Sequence, residues 1–191
     1  MGKFLTGVVI TLLVLILGGL GFLMLGLFPT NANVAPPRFE KRIANSAVDA
    51  SMERHAPRVN NPLNPTDQNF EDGMKAYTMN CALCHGGLDH KPADLANSFY
   101  PPAPNLISHP PDDPEWHIFY TIRTGVRYTA MPSWEKVLSE KDMWQITMLL
   151  SHMEKLPPGV QDYWKANFGA GPEPEQKEPL KDAGQSKDHK D

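Results

Sequence analysis

The sequence predicts an all-α protein, a helical domain carried behind one membrane-crossing helix, and three observations predict it. Residues 4–28 form a run of 25 without a charge, just behind Lys3. Further along, apolar residues recur at helical spacing, at Phe39, Ile43, Ala44, Ala47, Val48 and Met52, and again at Met143, Ile146, Leu149, Leu150 and Met153. Only two cysteines occur in 191 residues, so neither a disulfide-stapled scaffold nor a four-thiolate zinc site is available to replace a helical core. The formal charge of −4 leaves no broad basic face for nucleic acid.

Taken in order, the uncharged run comes first. At about 1.5 Å per residue it makes roughly 37 Å of helix, enough to cross a hydrocarbon core of about 30 Å with some tilt. A cleaved signal peptide carries a shorter apolar stretch and a small-residue cut site, and Pro29-Thr30-Asn31-Ala32-Asn33 offers none. Residues 1–28 are therefore read as a retained signal-anchor. Residues 29–67 follow as a linker, with an amphipathic helix over 39–54 whose Arg38, Lys41 and Arg42 could meet anionic headgroups or whose apolar stripe could meet a partner subunit. Those three cations outnumber Lys3, so the positive-inside rule by itself points the C-terminal domain toward the cytoplasm.

Beyond the linker, residues 70–80 read as an amphipathic helix. Residues 86–113 read as a proline-rich loop, with Pro92, Pro101, Pro102, Pro104, Pro110 and Pro111. A helix is predicted over 114–124, capped by Asp113, with Pro114 in its first turn and Gly125 at its end. The last long helix is predicted over 140–155, opened by a Ser139/Asp142 capping box. Val160, Tyr163, Trp164 and Phe168 mark a short helix over 158–168, and the charged, proline-bearing residues 169–191 read as a disordered tail.

Between the first two helices of the domain stands Cys81-Ala82-Leu83-Cys84-His85, the C-x-x-C-H signature of covalent haem attachment. Two thiols on one turn of backbone can reach the two vinyl groups on one porphyrin edge, and the histidine that follows turns under the iron as proximal ligand. A zinc site drawing on His85 and His90 lacks the spacing between ligand pairs that a finger needs. A redox-active dithiol would need a βαβ setting, and the flanking sequence is helix and loop.

Four patterns extend the motif: Gly73 and Tyr77 leading into Cys81-Ala82-Leu83-Cys84-His85-Gly86, then Pro104-Asn105-Leu106, then Gly125 with Met131-Pro132, then a closing helix with Trp144. On these the chain resembles a class I c-type cytochrome over residues 68–157, and more closely the membrane-anchored single-haem cytochromes of bacteria. The resemblance implies the cytochrome c fold, three to four helices around one haem c held through Cys81 and Cys84. It implies that attachment happens on the periplasmic side, overriding the count of cations, so the expected location is the bacterial inner membrane, single-pass, haem domain outside. It also implies a close helix crossing at Gly73, with Trp144 as its partner, and a bond from His85 Nδ1–H to the Pro104 carbonyl that orients the imidazole.

Met131 is the expected sixth ligand of the iron, held extended by Pro132, with His109 and His117 as rivals. Arg123 and Arg127 are candidates for pairing with the haem propionates, Trp134 for packing beside them, and Tyr128 for lining the distal pocket. A thioether opposite a histidine raises the potential and closes the iron to exogenous ligands. The expected function is one-electron transfer between redox protein partners, as a tethered shuttle or as a subunit of a respiratory or photosynthetic complex, and not catalysis. The alternatives are the haem subunit of an oxidase, dehydrogenase or peroxidase, or a gas sensor with an open distal site. Residues 68–157 carry seven cations and eleven anions, so no lysine ring for docking an acidic partner is evident.

Overall fold

Helices account for all regular structure among the described residues, 2–169 of a computed structural model, and no strand occurs among them. The chain divides into two units, one ending at Val34 and the other beginning at Ala35. The predicted tail lies outside the described residues from position 170 onward.

The first unit is α1, Gly2–Met24, 23 residues long and apolar enough to cross a membrane. Thr6 and Thr11 return their hydroxyl protons to the carbonyls of Gly2 and Gly7, each at 3.0 Å, so neither hydroxyl needs water. The uncharged run continues to Phe28, but the helix stops four residues earlier. A Schellman motif ends it, with Gly26 N–H bonded to Leu23 O at 3.1 Å and Leu27 N–H to Phe22 O at 3.2 Å.

The second unit begins with α2, Arg38–His55. Nearly half of the span read as linker is thus a helix, and it is not detached: Met52 and Ala56 are buried, the Tyr100 hydroxyl donates to Glu40 at 2.6 Å, and the Arg58 guanidinium lies over the Trp116 ring at 5.4 Å. Next come α3 (Asp67–Asn80), the single turn α4 (Ala82–His85), a 3₁₀ turn at Asp94–Ser98, α5 (Glu115–Thr124), α6 (Glu140–Ser151), a second 3₁₀ turn at Met153–Lys155, and α7 (Pro158–Phe168).

α6 is the centre of the fold. The apolar stripe predicts one buried face, yet every residue from 143 to 150 is buried, because α3 packs on one side and α5 on another. The two polar members of that stretch are satisfied internally. Gln145 donates to Asn69 Oδ1 at 2.9 Å, and Thr147 returns its hydroxyl to Met143 O at 2.9 Å. Phe119 of α5 stacks on Trp144 with ring centroids 3.8 Å apart and planes 5° from parallel.

Where α3 crosses α6 there is no room for a side chain at Gly73. A Cβ there would sit 2.9 Å from the carbonyl carbon of Gln145 and nearer still to its oxygen. The close approach is therefore to the backbone of Gln145, one residue beyond the Trp144 that the sequence reading put forward.

The caps explain the boundaries. Thr66 accepts from Asn69 N–H at 3.3 Å and opens α3; Ser139 accepts from Asp142 N–H at 3.1 Å and opens α6. Asp113 does not cap α5. Pro114, at φ −59° and ψ 149°, occupies the cap position with no side-chain bond, which leaves Asp113 outside the helix, 3.4 Å from His117 Nδ1. α7 is fastened by the fully buried Val160 and Trp164, and the Trp164 indole N–H donates to Leu88 O at 2.7 Å.

Candidate haem site

Cys81 ends α3 and starts α4. The turn is closed by Cys84 N–H and His85 N–H, bonded to Cys81 O at 3.1 and 2.9 Å. This puts two half-buried thiols, not joined in a disulfide, and one imidazole on a single turn. Burial pushes the Cys81 thiol up to about 12, with Cys84 adding to the rise.

His85 is held from three directions. Its Nδ1 lies 2.9 Å from Pro104 O, which can only accept, so Nδ1 carries the proton and Nε2 presents its lone pair. Its own carbonyl accepts from Leu106 N–H at 3.0 Å and from the Tyr77 hydroxyl at 3.2 Å. Tyr77, fully buried, also donates to Gly86 O at 2.9 Å. Burial lowers the imidazole below the ordinary histidine value, with the Pro104 carbonyl acting against it, which favours the neutral ring. A neutral imidazole with a tethered Nδ1 is the form that binds a metal through Nε2.

The loop that supplies Pro104 is itself braced. Asn105 Oδ1 accepts from Ile107 N–H and Ser108 N–H, each at 3.0 Å, a local turn that fixes Pro104-Asn105-Leu106. Tyr77 and Asn105 enter the sequence reading only as members of a pattern. Their roles as props for His85 become visible only when the loop is folded back over α4. A polar residue four positions before the motif, and an Asx turn after a proline, are the signals that could have pointed to them.

Met131 stands on a second loop, half-buried. Gly125, at φ +67°, turns the chain out of α5, and a Cβ there would lie 2.7 Å from Met131 O and 2.5 Å from the Pro132 carbonyl carbon. Val126 N–H bonds to Met131 O at 3.1 Å, and Met131 N–H to Thr129 Oγ1 at 3.1 Å. Ser133, Trp134 and Glu135 then bond back to the last turn of α5, so the whole segment is lashed to that helix. Trp134 is half-buried against the core.

The two arginines differ. Arg123 makes both Nε and Nη2 bonds to Glu135 Oε1, at 3.0 and 2.7 Å, which gives its guanidinium a carboxylate of its own. Arg127 is exposed and has no ion pair among the described residues. Tyr128 is 91% exposed, at φ +62°.

Among the other possible ligands, Met74, Met143, Met148 and Met153 are buried in the core, Met79 is exposed, and His117 faces Asp113. His109 is exposed, and His90 stacks on Trp164 with centroids 6.2 Å apart. No group of three His, Cys, Asp or Glu side chains able to hold a metal ion by themselves occurs among the described residues. The donor set present, two thiols on one turn and one neutral imidazole with its second nitrogen tied, fits a porphyrin-borne iron and not a bare ion.

Residues 68–148 match the family model described as cytochrome C oxidase, cbb3-type, subunit III. No curated protein and no solved structure matches the chain. Residues 68–148 are a c-type cytochrome domain, which implies one haem c bound covalently through Cys81 and Cys84.

Proposed function

We propose that His85 and Met131 would hold the iron of this haem, and that the chain relays single electrons at the periplasmic face of the bacterial inner membrane as a subunit of a larger membrane oxidase complex. When bound, the haem supplies one-electron chemistry between Fe(III) and Fe(II). The protein's part is to hold both ligands still. The bond between His85 Nδ1 and the Pro104 carbonyl carries the reading, since it fixes tautomer and ring plane together. The Gly125 turn and the Val126–Met131 bond give the methionine loop a comparable rigidity. Ligands that do not move between oxidation states keep the reorganisation accompanying electron transfer small.

The family match to an oxidase subunit favours a place in a complex over a free shuttle. Two experiments test the reading. Carbon monoxide and cyanide should leave the spectrum of the native protein unchanged at neutral pH; prompt stoichiometric binding overturns Met131 ligation and restores the open-site alternatives. Purification in mild detergent should bring a membrane oxidase with the chain; a cytochrome that purifies alone at full yield returns the function to a tethered shuttle.

A further inference from the structure

We propose that the N-terminal half of α2 is an interfacial element that lies on an anionic lipid surface; the inference rests on the reading of α1 as a membrane anchor. α2 is docked by its C-terminal half, through Met52 and Ala56, and at its first turn by Glu40, whose carboxylate accepts the Tyr100 hydroxyl at 2.6 Å. Over residues 38–44 what remains outward is basic or apolar. Arg38, Lys41 and Arg42 are exposed and form no ion pair among the described residues, and the one acid among them is turned inward. Beside them Phe39 and Ile43 are 69% and 65% exposed, one turn apart on the same face.

Neither feature serves the folded domain. Cations in the first turns of a helix face the positive end of its dipole, where acids are the stabilising choice. Two large apolar side chains in water forfeit the gain of burial. Both features suit an interface in which basic residues meet phosphate headgroups while neighbouring apolar ones dip below them. The basic end is also the end joined to α1, through residues 25–37. The same three cations are the ones that the topology rule cannot account for if the haem domain is outside.

The test uses the full-length holoprotein with Ile43→Cys carrying a nitroxide, the haem reduced, in vesicles of phosphatidylcholine alone or mixed with phosphatidylglycerol. Cys81 and Cys84 are consumed by haem, so the label has one target. In the anionic vesicles the label should become accessible to oxygen and shielded from a water-soluble nickel chelate. Arg38→Ala should lower the ratio of immersed to exposed label about fivefold, as should Lys41→Ala. The Soret band and melting temperature of each variant should match the parent, separating lipid contact from folding.

A label that stays in water in both lipids overturns the proposal, as does one equally immersed without anionic lipid. Label–label broadening that grows with protein-to-lipid ratio would put a second copy on this face and overturn it too. Release of the chain from vesicles by a high-salt wash would sink the anchor reading along with the proposal. A chain that stays bound with its label in water sinks the proposal alone.

Discussion

A methyl group at Gly73 probes the junction on which the domain turns. In Gly73→Ala the new Cβ would lie 2.9 Å from the Gln145 carbonyl carbon, closer to its oxygen, and 3.5 Å from Leu149 Cβ. Carbon atoms pack at about 3.5–4.0 Å, so α3 and α6 must part by roughly 0.6–1.1 Å along this line. The neighbour is backbone in the middle of a helix buried along its length and cannot rotate away. Overpacking costs about 1–3 kcal/mol, and against backbone that cannot give way the upper part of that range applies, about 2–3 kcal/mol. Alanine's helix preference returns about 1 kcal/mol. A net loss of about 1–2 kcal/mol should lower the melting temperature by roughly 4–16 °C. Thermal unfolding of the holoprotein, followed by far-UV circular dichroism and by the Soret band, reads this directly. A melting temperature that is unchanged, or raised as in an unobstructed helix, would refute the close crossing.

Met131→Ala should lower the reduction potential and open the iron to carbon monoxide; an unaltered spectrum with unaltered ligand exclusion would exclude Met131 as ligand. Gly125→Ala combines a left-handed backbone, unfavourable by about 1–2 kcal/mol for a residue with a Cβ, with contacts to the Met131-Pro132 backbone. It should therefore show partial carbon monoxide binding, measured in the same titration. Tyr77→Phe leaves the Gly86 carbonyl without its donor and the His85 carbonyl with Leu106 N–H alone, and should cost about 1–2 kcal/mol in chemical denaturation. Burial pushes the Tyr77 phenol well above its ordinary value, so its contribution is complete below about pH 10 and is lost as the pH climbs further. The gap between parent and Tyr77→Phe should accordingly narrow in alkaline melts. Ser139→Ala removes the cap that accepts from Asp142 N–H and should destabilise α6 by about 1 kcal/mol.

What was legible in the sequence was what is local. Two thiols and a histidine within five residues declare their turn and their cofactor without reference to the rest of the chain. Ser139 marks its helix start because its hydroxyl reaches only three residues ahead. Gly73 could be read as a crossing point, but the atom it meets could not, since helical spacing specifies a face and not which neighbour's carbonyl lies against it. Asp113 misled for a related reason. It is a good capping residue, but Pro114, with φ fixed by its ring, took the position one step later. The props of His85 depend on a loop that returns 19 residues after the histidine, and the anchoring of α2 on Tyr100 spans 60, separations at which periodicity carries no information. The full burial of α6 was hidden in the same way, because Gln145 and Thr147 look like surface residues until their partners are known.

The docking of α2 shortens the leash. Had residues 29–67 all been slack, the domain could have roamed about 35 Å from its mooring. With α2 folded down, at most the 13 residues 25–37 can pay out, for a typical excursion of about 20 Å and a taut limit of about 45 Å. If α1 is held in a membrane, a threefold shorter tether raises the domain's local concentration about fivefold for any acceptor in reach and denies it every acceptor beyond.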